Sequence, residues 1–204
     1  MKPIAAADLK KARALVLANA TELLEDALFL LNDGRYARSY ALTVLAREEM
    51  AKLAMVVRAV LNAHEQFDWD RFDRRIKRHE AKLEVFALVE IIISTNLSQQ
   101  VEKKAELRRL LSEPENRRRL NEGKQDGFYV SVSAKGVRLP SDVIFDELAR
   151  SLYDRTRTML EFFRSGEETD PDTSVFAGIT DLYGKIICLA EDFIESPDSV
   201  VLPR

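Results

Sequence analysis

Residues 36–63 read YARSYALTVLAREEMAKLAMVVRAVLNA, with no Gly or Pro to interrupt them. Alanine, leucine and methionine give this stretch strong helix propensity. Ala41, Val44, Leu45, Met55, Val56 and Ala59 fall on one face at about 100° per residue, and further apolar residues load the other sides. A helix apolar over that much of its circumference must be covered from several directions, which predicts a central helix in a bundle.

The flanking sequence supplies its surroundings. Upstream, Asp8 is placed to cap a helix bearing Leu9, Ala12, Val16, Ala20, Leu23, Leu24, Ala27 and Leu31 at helical spacing. That helix is expected to stop at Asn32-Asp33-Gly34, where Gly34 takes a left-handed cap. Downstream, one helix is expected from Asp68 to about Asn96, with Phe72, Ile76, Leu83 and Phe86 as its apolar stripe. The polar segment 98–124 carries Lys103, Lys104, Arg108, Arg109, Arg117, Arg118 and Arg119 and is divided by Pro114. Its weak apolar pattern predicts a surface excursion. Phe128 to Val132 alternates as a strand, and Val137 to Leu139 pairs back after Lys135-Gly136. Ser141 or Asp142 then caps a helix through Phe163, with Ile144, Leu148, Leu152, Thr156 and Leu160 on one side. An acidic loop, Gly166 to Ser174, precedes a last helix from about Val175 to Ile194. No repeat or linker divides the chain, so residues 1–204 are expected to form one domain.

Composition agrees. Only 7 Gly and 6 Pro in 204 residues favour long helices over many short strands. Cys188, the single cysteine, sits in the apolar run Ile186 to Leu189 and reads as a buried structural thiol of a reducing compartment. The N-terminus has no apolar signal region, and the hydrophobic stretch 85–94 is short and broken by Glu90. A soluble, cytoplasmic protein with no membrane contact is expected. A net charge of −3 gives no global field toward nucleic acid, so local basic clusters must carry any such contact.

Two helices place charge where apolar residues belong. Glu48 and Lys52 fall within the core face of the central helix as i,i+4 partners, with Glu49 at its edge. Burying a carboxylate is costly unless it is paired and hydrogen-bonded. These groups therefore form either a structural polar knot that fixes helix register or a cleft that orients a working residue. On the next helix His79 projects onto the apolar stripe, flanked by Arg71, Arg75 and Lys82. That imidazole is either a satisfied core residue or the end of a functional basic strip. His64, at a helix end, reads as a solvated cap. No Cys, His or carboxylate set has metal-site spacing, and no Gly-rich phosphate loop is present, so neither metal nor cofactor is assigned.

Three motifs in order resemble a known family. Ala46-Arg47-Glu48-Glu49-Met50-Ala51-Lys52 is similar to the helix-two signature of AbiV abortive-infection proteins, an alanine-rich helix closing on Glu-Glu-x-x-Lys. His79-Glu80-Ala81-Lys82-Leu83 resembles its His-x-x-Lys, preceded by an aromatic helix start, here Trp69 and Phe72. Gly127-Phe128-Tyr129-Val130 with Leu139-Pro140 resembles its later hairpin. Together the motifs span most of residues 10–165.

The resemblance implies the HEPN superfamily. Its fold is an all-α, up-and-down helical bundle, here with one small β-hairpin insertion, and it commonly dimerises. Many HEPN proteins are metal-independent endoribonucleases with an Arg-x4-6-His motif. Arg74 and His79 satisfy that spacing, although the residue after Arg74 is a second arginine. On a straight helix Arg74 points about 140° away from His79, whereas Arg75 shares its side.

In that chemistry His79 is the base or acid. Arg75 or Arg74, with Lys82, stabilises the phosphorane charge. Glu49 and Lys52 belong to the same cluster, Glu49 orienting the imidazole or an arginine. Arg71, Arg78 and Tyr129 are candidate RNA contacts, and two such strips meeting across a homodimer axis form a basic groove. The alternative is an interaction protein without chemistry, binding a phage component or the translation machinery through the same surface, with a phage protein as activator. A third reading, a module binding nucleotide or a nucleotidyltransferase, lacks a phosphate loop.

Overall fold

The computed structural model describes residues 2–62, 67–94, 114–134 and 136–167, together with positions 187, 188, 190 and 194. Six helices and one hairpin make up its elements: α1 (Ala6–Asn32), α2 (Tyr36–Leu61), α3 (Trp69–Lys77), α4 (His79–Ser94), α5 (Pro114–Phe128), β1 (Ser131–Ser133), β2 (Gly136–Arg138) and α6 (Asp146–Glu167). Ile187, Cys188, Ala190 and Ile194 are helical as well. The architecture is the expected all-α bundle with a small antiparallel hairpin. No helix among the described residues is long and apolar enough to cross a membrane.

α2 is the axis of the bundle. It packs against α1, α4, α5 and α6, and 18 of its 26 residues are buried. Small residues on α2 let its neighbours approach closely: Ala41, Ala46, Ala51, Ala54 and Ala59 are all fully buried. Larger side chains from outside fill the space, Phe86 from α4 and Phe163 from α6, each contributing on the order of 2–3 kcal/mol by burial.

α1 begins at Ala6, ahead of the cap expected at Asp8. Ala5 occupies the cap position without a side-chain bond, and Asp8 lies in the first turn, where its carboxylate favours the exposed N–H dipoles. The C-terminus closes as expected at Gly34, with φ of 75°. Arg35 N donates to Leu30 O at 2.8 Å and Gly34 N to Leu31 O at 3.2 Å, so two carbonyls of the last turn gain partners. A buried bond from Ser39 Oγ to Ala27 O, 2.7 Å, ties α1 to α2.

The helix expected from Asp68 to Asn96 is two helices. Arg78 is extended, with φ −91° and ψ 123°, and ends α3 while its carbonyl accepts from Lys82 N at the start of α4. No Gly or Pro marks the break. Asp68 caps α3 by accepting from Arg71 N at 2.8 Å, and Phe67, Trp69 and Phe72 stack edge-on around that cap. The broken chain lets Phe72 and, beyond the corner, Leu83 and Phe86 all reach the core.

Pro114 opens α5, where its missing N–H costs nothing. Residues 114–124 are thus helical, and the later turns are buried against α2 through Gly123, Lys124 and Gly127, which corrects the expected surface excursion. Positions 98–113, with Lys103, Lys104, Arg108 and Arg109, lie outside the described residues.

The hairpin is shorter than expected, because Phe128 ends α5 and Ser131 begins the strand. Ser131 pairs with Arg138, Val132 with Val137 and Ser133 with Gly136. A 3-10 turn over Pro140–Asp142 follows, in which Asp142 Oδ2 accepts from Leu139 N at 2.7 Å. Asp142 therefore caps this turn, and α6 starts later, at Asp146. Of the expected α6 face, Leu152, Thr156 and Leu160 are buried and so is Ile144 just ahead of it, but Leu148 points outward. Gly166 still belongs to α6, while 168–174 and most of the expected last helix lie outside the described residues. Cys188 is half-buried rather than buried, and its carbonyl accepts from Arg58 Nη1 at 3.3 Å.

Candidate functional site

Glu48 is the centre of the site. It stands on the face of α2 covered by α4 and α5, and its side chain is 2% exposed. A lone carboxylate there would carry a desolvation penalty of several kcal/mol, and three donors offset it. Lys124 Nζ, from α5, lies 2.7 Å from Oε1. Lys82 Nζ, from α4, lies 2.9 Å from Oε2. His79 Nδ1, from the first residue of α4, lies 2.5 Å from the same oxygen. Burial pushes the carboxyl pKa up, but the hydrogen bonds from Lys124, Lys82 and His79 outweigh it and hold Glu48 below the ordinary range. Glu48 is therefore ionised at neutral pH.

Both ammonium groups are buried, with side chains 5% and 6% exposed, whereas that of His79 is 54% exposed. A buried charged network thus opens to solvent through one imidazole. An ionised carboxylate at Nδ1 favours a proton on that nitrogen, an arrangement that leaves the lone pair of a neutral ring on Nε2. A ring held in this way can take a proton at one defined atom.

The predicted residues are distributed as follows. His79 and Lys82 come together. Lys52 pairs with Glu49 at 2.5 Å rather than with Glu48, since the i,i+4 oxygen is already taken by donors from α4 and α5. Arg74 and Arg78 are exposed, Arg78 within 3.5 Å of Glu80, and Arg71 and Arg75 are half-buried on α3. Tyr129 is exposed just before β1. The straight-helix projection of Arg74 and Arg75 onto His79 does not apply across the break at Arg78.

Glu48 and Lys124 are the residues that sequence reasoning did not assign. Glu48 was visible as a charge in a core face. For Lys124 the signal was Gly123-x3-Gly127, a spacing that lets two helices touch. A Cβ at Gly127 would sit 2.6 Å from Ala37 O and 2.9 Å from Ala41 Cβ, and one at Gly123 would meet the Tyr40 ring at 2.9 Å. Only glycine allows α5 this close, and Lys124 arrives beside it.

A second network is built around Arg47, the residue before Glu48, and reaches solvent through Arg155, whose side chain is 61% exposed. Arg47 donates to Thr156 Oγ1 at 2.8 Å and to Glu90 Oε1 at 3.2 Å, with its guanidinium 4.7 Å above the centre of the Phe86 ring. Burial lowers its pKa to about 10 against the opposing pull of Glu90. Arg155 also holds Glu90, at 3.0 Å. This network joins α2, α4 and α6 and is structural.

The match to known families decides the wider identity: the AbiV family model, of the HEPN class, covers residues 8–161. The chain belongs to the AbiV family. It is an abortive-infection protein of HEPN type, and the AbiV match takes in every site residue from Glu48 to Tyr129. No curated relative and no solved structure matches. Among the described residues, no three His, Cys, Asp or Glu side chains gather as metal ligands would, and the Glu48 oxygens are occupied by ammonium and imidazole donors.

Proposed function

We propose that this AbiV protein is an abortive-infection effector that cleaves RNA without a metal ion, with His79 as general base. One observation supports it above the others: a buried carboxylate holds Nδ1 of an imidazole whose ring reaches solvent. In the reaction Nε2 takes the proton of a ribose 2′-OH. The 2′-oxygen then bonds to phosphorus, and the 5′-oxygen leaves with a proton returned by the imidazolium or by water. The products are a 2′,3′-cyclic phosphate and a 5′-hydroxyl. Arg71, Arg74, Arg75 and Arg78, on and beside α3, supply positive charge for the phosphate path. Glu48, in place of Glu49, is the orienting group. Lys82 acts through Glu48, and Glu49 with Lys52 forms a neighbouring pair.

The reading includes a cytoplasmic homodimer in which both His79 residues line a common groove, as the family resemblance implies. Light scattering should give twice the 23.3 kDa chain mass, and a monomer at micromolar concentration counts against it.

A second reading draws on the hairpin, where Val132 and Val137 are 76% and 67% exposed beside Tyr129 and Leu139. Such a surface suits an interaction protein that binds a phage component or the translation machinery. Phage protection and RNA cleavage, compared between wild type and a folded His79→Gln, separate the two. Loss of both supports the nuclease, whereas full protection with intact RNA leaves the interaction protein.

A further inference from the structure

The carboxylate that holds His79 is itself held from a third helix. We propose that Lys124 is a positioning residue, which fixes Glu48 as an acceptor and so keeps the proton of neutral His79 on Nδ1. The proposal rests on the reading of His79 as general base, and it makes the docking of α5 a control on that base.

The distances around Nδ1 carry the argument. Glu48 Oε2 is 2.5 Å away and Lys124 Nζ is 3.3 Å away. An ammonium offers only donors and a carboxylate only acceptors. With a lone pair on Nδ1, the ring would accept weakly from Lys124 while facing a carboxylate oxygen at the shorter distance. With a proton on Nδ1, the short contact is a charge-assisted hydrogen bond, and Lys124 directs one of its N–H groups to Oε1 at 2.7 Å. The nearer contact wins, so the charge and orientation of Glu48 select the tautomer. An imidazole free in water prefers the opposite one, with its proton on Nε2.

Lys82 cannot replace Lys124 in this role. It reaches Oε2, the oxygen that the imidazole uses, and it shares α4 with His79. Lys124 holds the other oxygen and comes from α5. Around the carboxylate of α2 stand His79 and Lys82 from α4 and Lys124 from α5. Without Lys124, Oε1 loses its donor, and the carboxyl is free to rotate or to take a proton there. The close approach at Gly123 and Gly127 brings Lys124 to this point, so the seating of α5 decides whether Nε2 presents its lone pair.

Two-bond proton–nitrogen NMR of the imidazole rings tests this on the full chain, which has only two histidines, His64 and His79. His64→Gln assigns them. At a pH where the ring is neutral, wild type should show His79 as the Nδ1–H form. Lys124→Met and Lys124→Gln should move it to mainly Nε2–H, and Lys124→Arg should restore the wild-type pattern. Cleavage of single-stranded RNA should fall about 10- to 100-fold in the Met and Gln variants, in kcat more than in KM. A wild-type ring in the Nε2–H form overturns the proposal by itself, whatever the variants do. An unchanged tautomer in folded Lys124→Met or Lys124→Gln overturns it too. If the tautomer responds as expected but wild type leaves RNA intact, the positioning role stands and the nuclease reading falls.

Discussion

Glu48 Oε2 and His79 Nδ1 lie 2.5 Å apart, joining one of the most buried charges among the described residues to an imidazole side chain that is 54% exposed. The two residues are 31 positions apart in sequence and on different helices. The contact depends on the extended Arg78, which turns the chain so that His79 opens α4 over Glu48 instead of continuing α3.

Replacing His79 separates chemistry from stability. The ring is half in solvent, and Glu48 keeps Lys82 and Lys124 after its removal. His79→Gln should therefore fold with a melting temperature close to wild type, while RNA cleavage falls by about 10²- to 10⁴-fold, the usual contribution of a general base. Thermal unfolding and single-turnover cleavage on one preparation check both halves. A cleavage rate unchanged in the folded variant removes His79 from the mechanism.

Replacing Glu90 gives the opposite pattern. Its carboxylate pairs with buried Arg47 and with Arg155. Glu90→Ala leaves the Arg47 guanidinium buried without that charge, which should destabilise by about 3–5 kcal/mol. Cleavage per folded molecule should stay at the wild-type level. Urea unfolding paired with activity corrected for the folded fraction measures this, and a selective loss of activity would show that the second network also serves the site.

Most of the fold could be read from periodicity, because burial and helical spacing coincide along α1, α2 and α6. The site was half readable. Glu48 and His79 stood out as charged or titratable groups on apolar faces, but which groups meet is set by tertiary packing. Lys52 illustrates this: its i,i+4 spacing points to Glu48, yet Lys82 and Lys124 occupy that carboxylate and Lys52 turns to Glu49. The break at Arg78 had no Gly or Pro to announce it. Lys124 sat in a polar stretch whose two glycines signal close packing only when the opposing Ala37 and Ala41 are known.

Gly127→Ala tests that packing. The added Cβ would sit 2.6 Å from the Ala37 carbonyl oxygen, a backbone atom that cannot step aside. Moving α5 away should cost about 1–3 kcal/mol, as overpacking does, and should also reduce cleavage by pulling Lys124 from Glu48. Gly123→Ala meets the Tyr40 ring instead, at 2.9 Å. Chemical denaturation of both variants checks the first effect, and a Gly127→Ala protein as stable as wild type would show that α5 does not seat this tightly.

Stability in acid depends on Glu48. Hydrogen bonds from Lys124, Lys82 and His79 overcome burial and depress its folded pKa below the ordinary 4.5. The folded state then binds fewer protons than the unfolded chain in that range, so stability rises with pH there. The contribution is fully present above about pH 4.5 and is lost as pH falls through the folded pKa. When Glu48 protonates, Lys82 and Lys124 remain buried as cations beside a neutral acid, and the helix contacts they bridge weaken. Glu48→Gln puts the protein permanently in that condition. It should be less stable at neutral pH by about 3–5 kcal/mol, the cost of removing one partner from a buried charge network. Its melting temperature should also change less than that of wild type as pH falls below about 4.5, because the residue that titrates is gone. Melting curves from pH 7 down to pH 3 on both proteins decide it, and parallel acid limbs would mean that other carboxylates, not Glu48, govern the acid response.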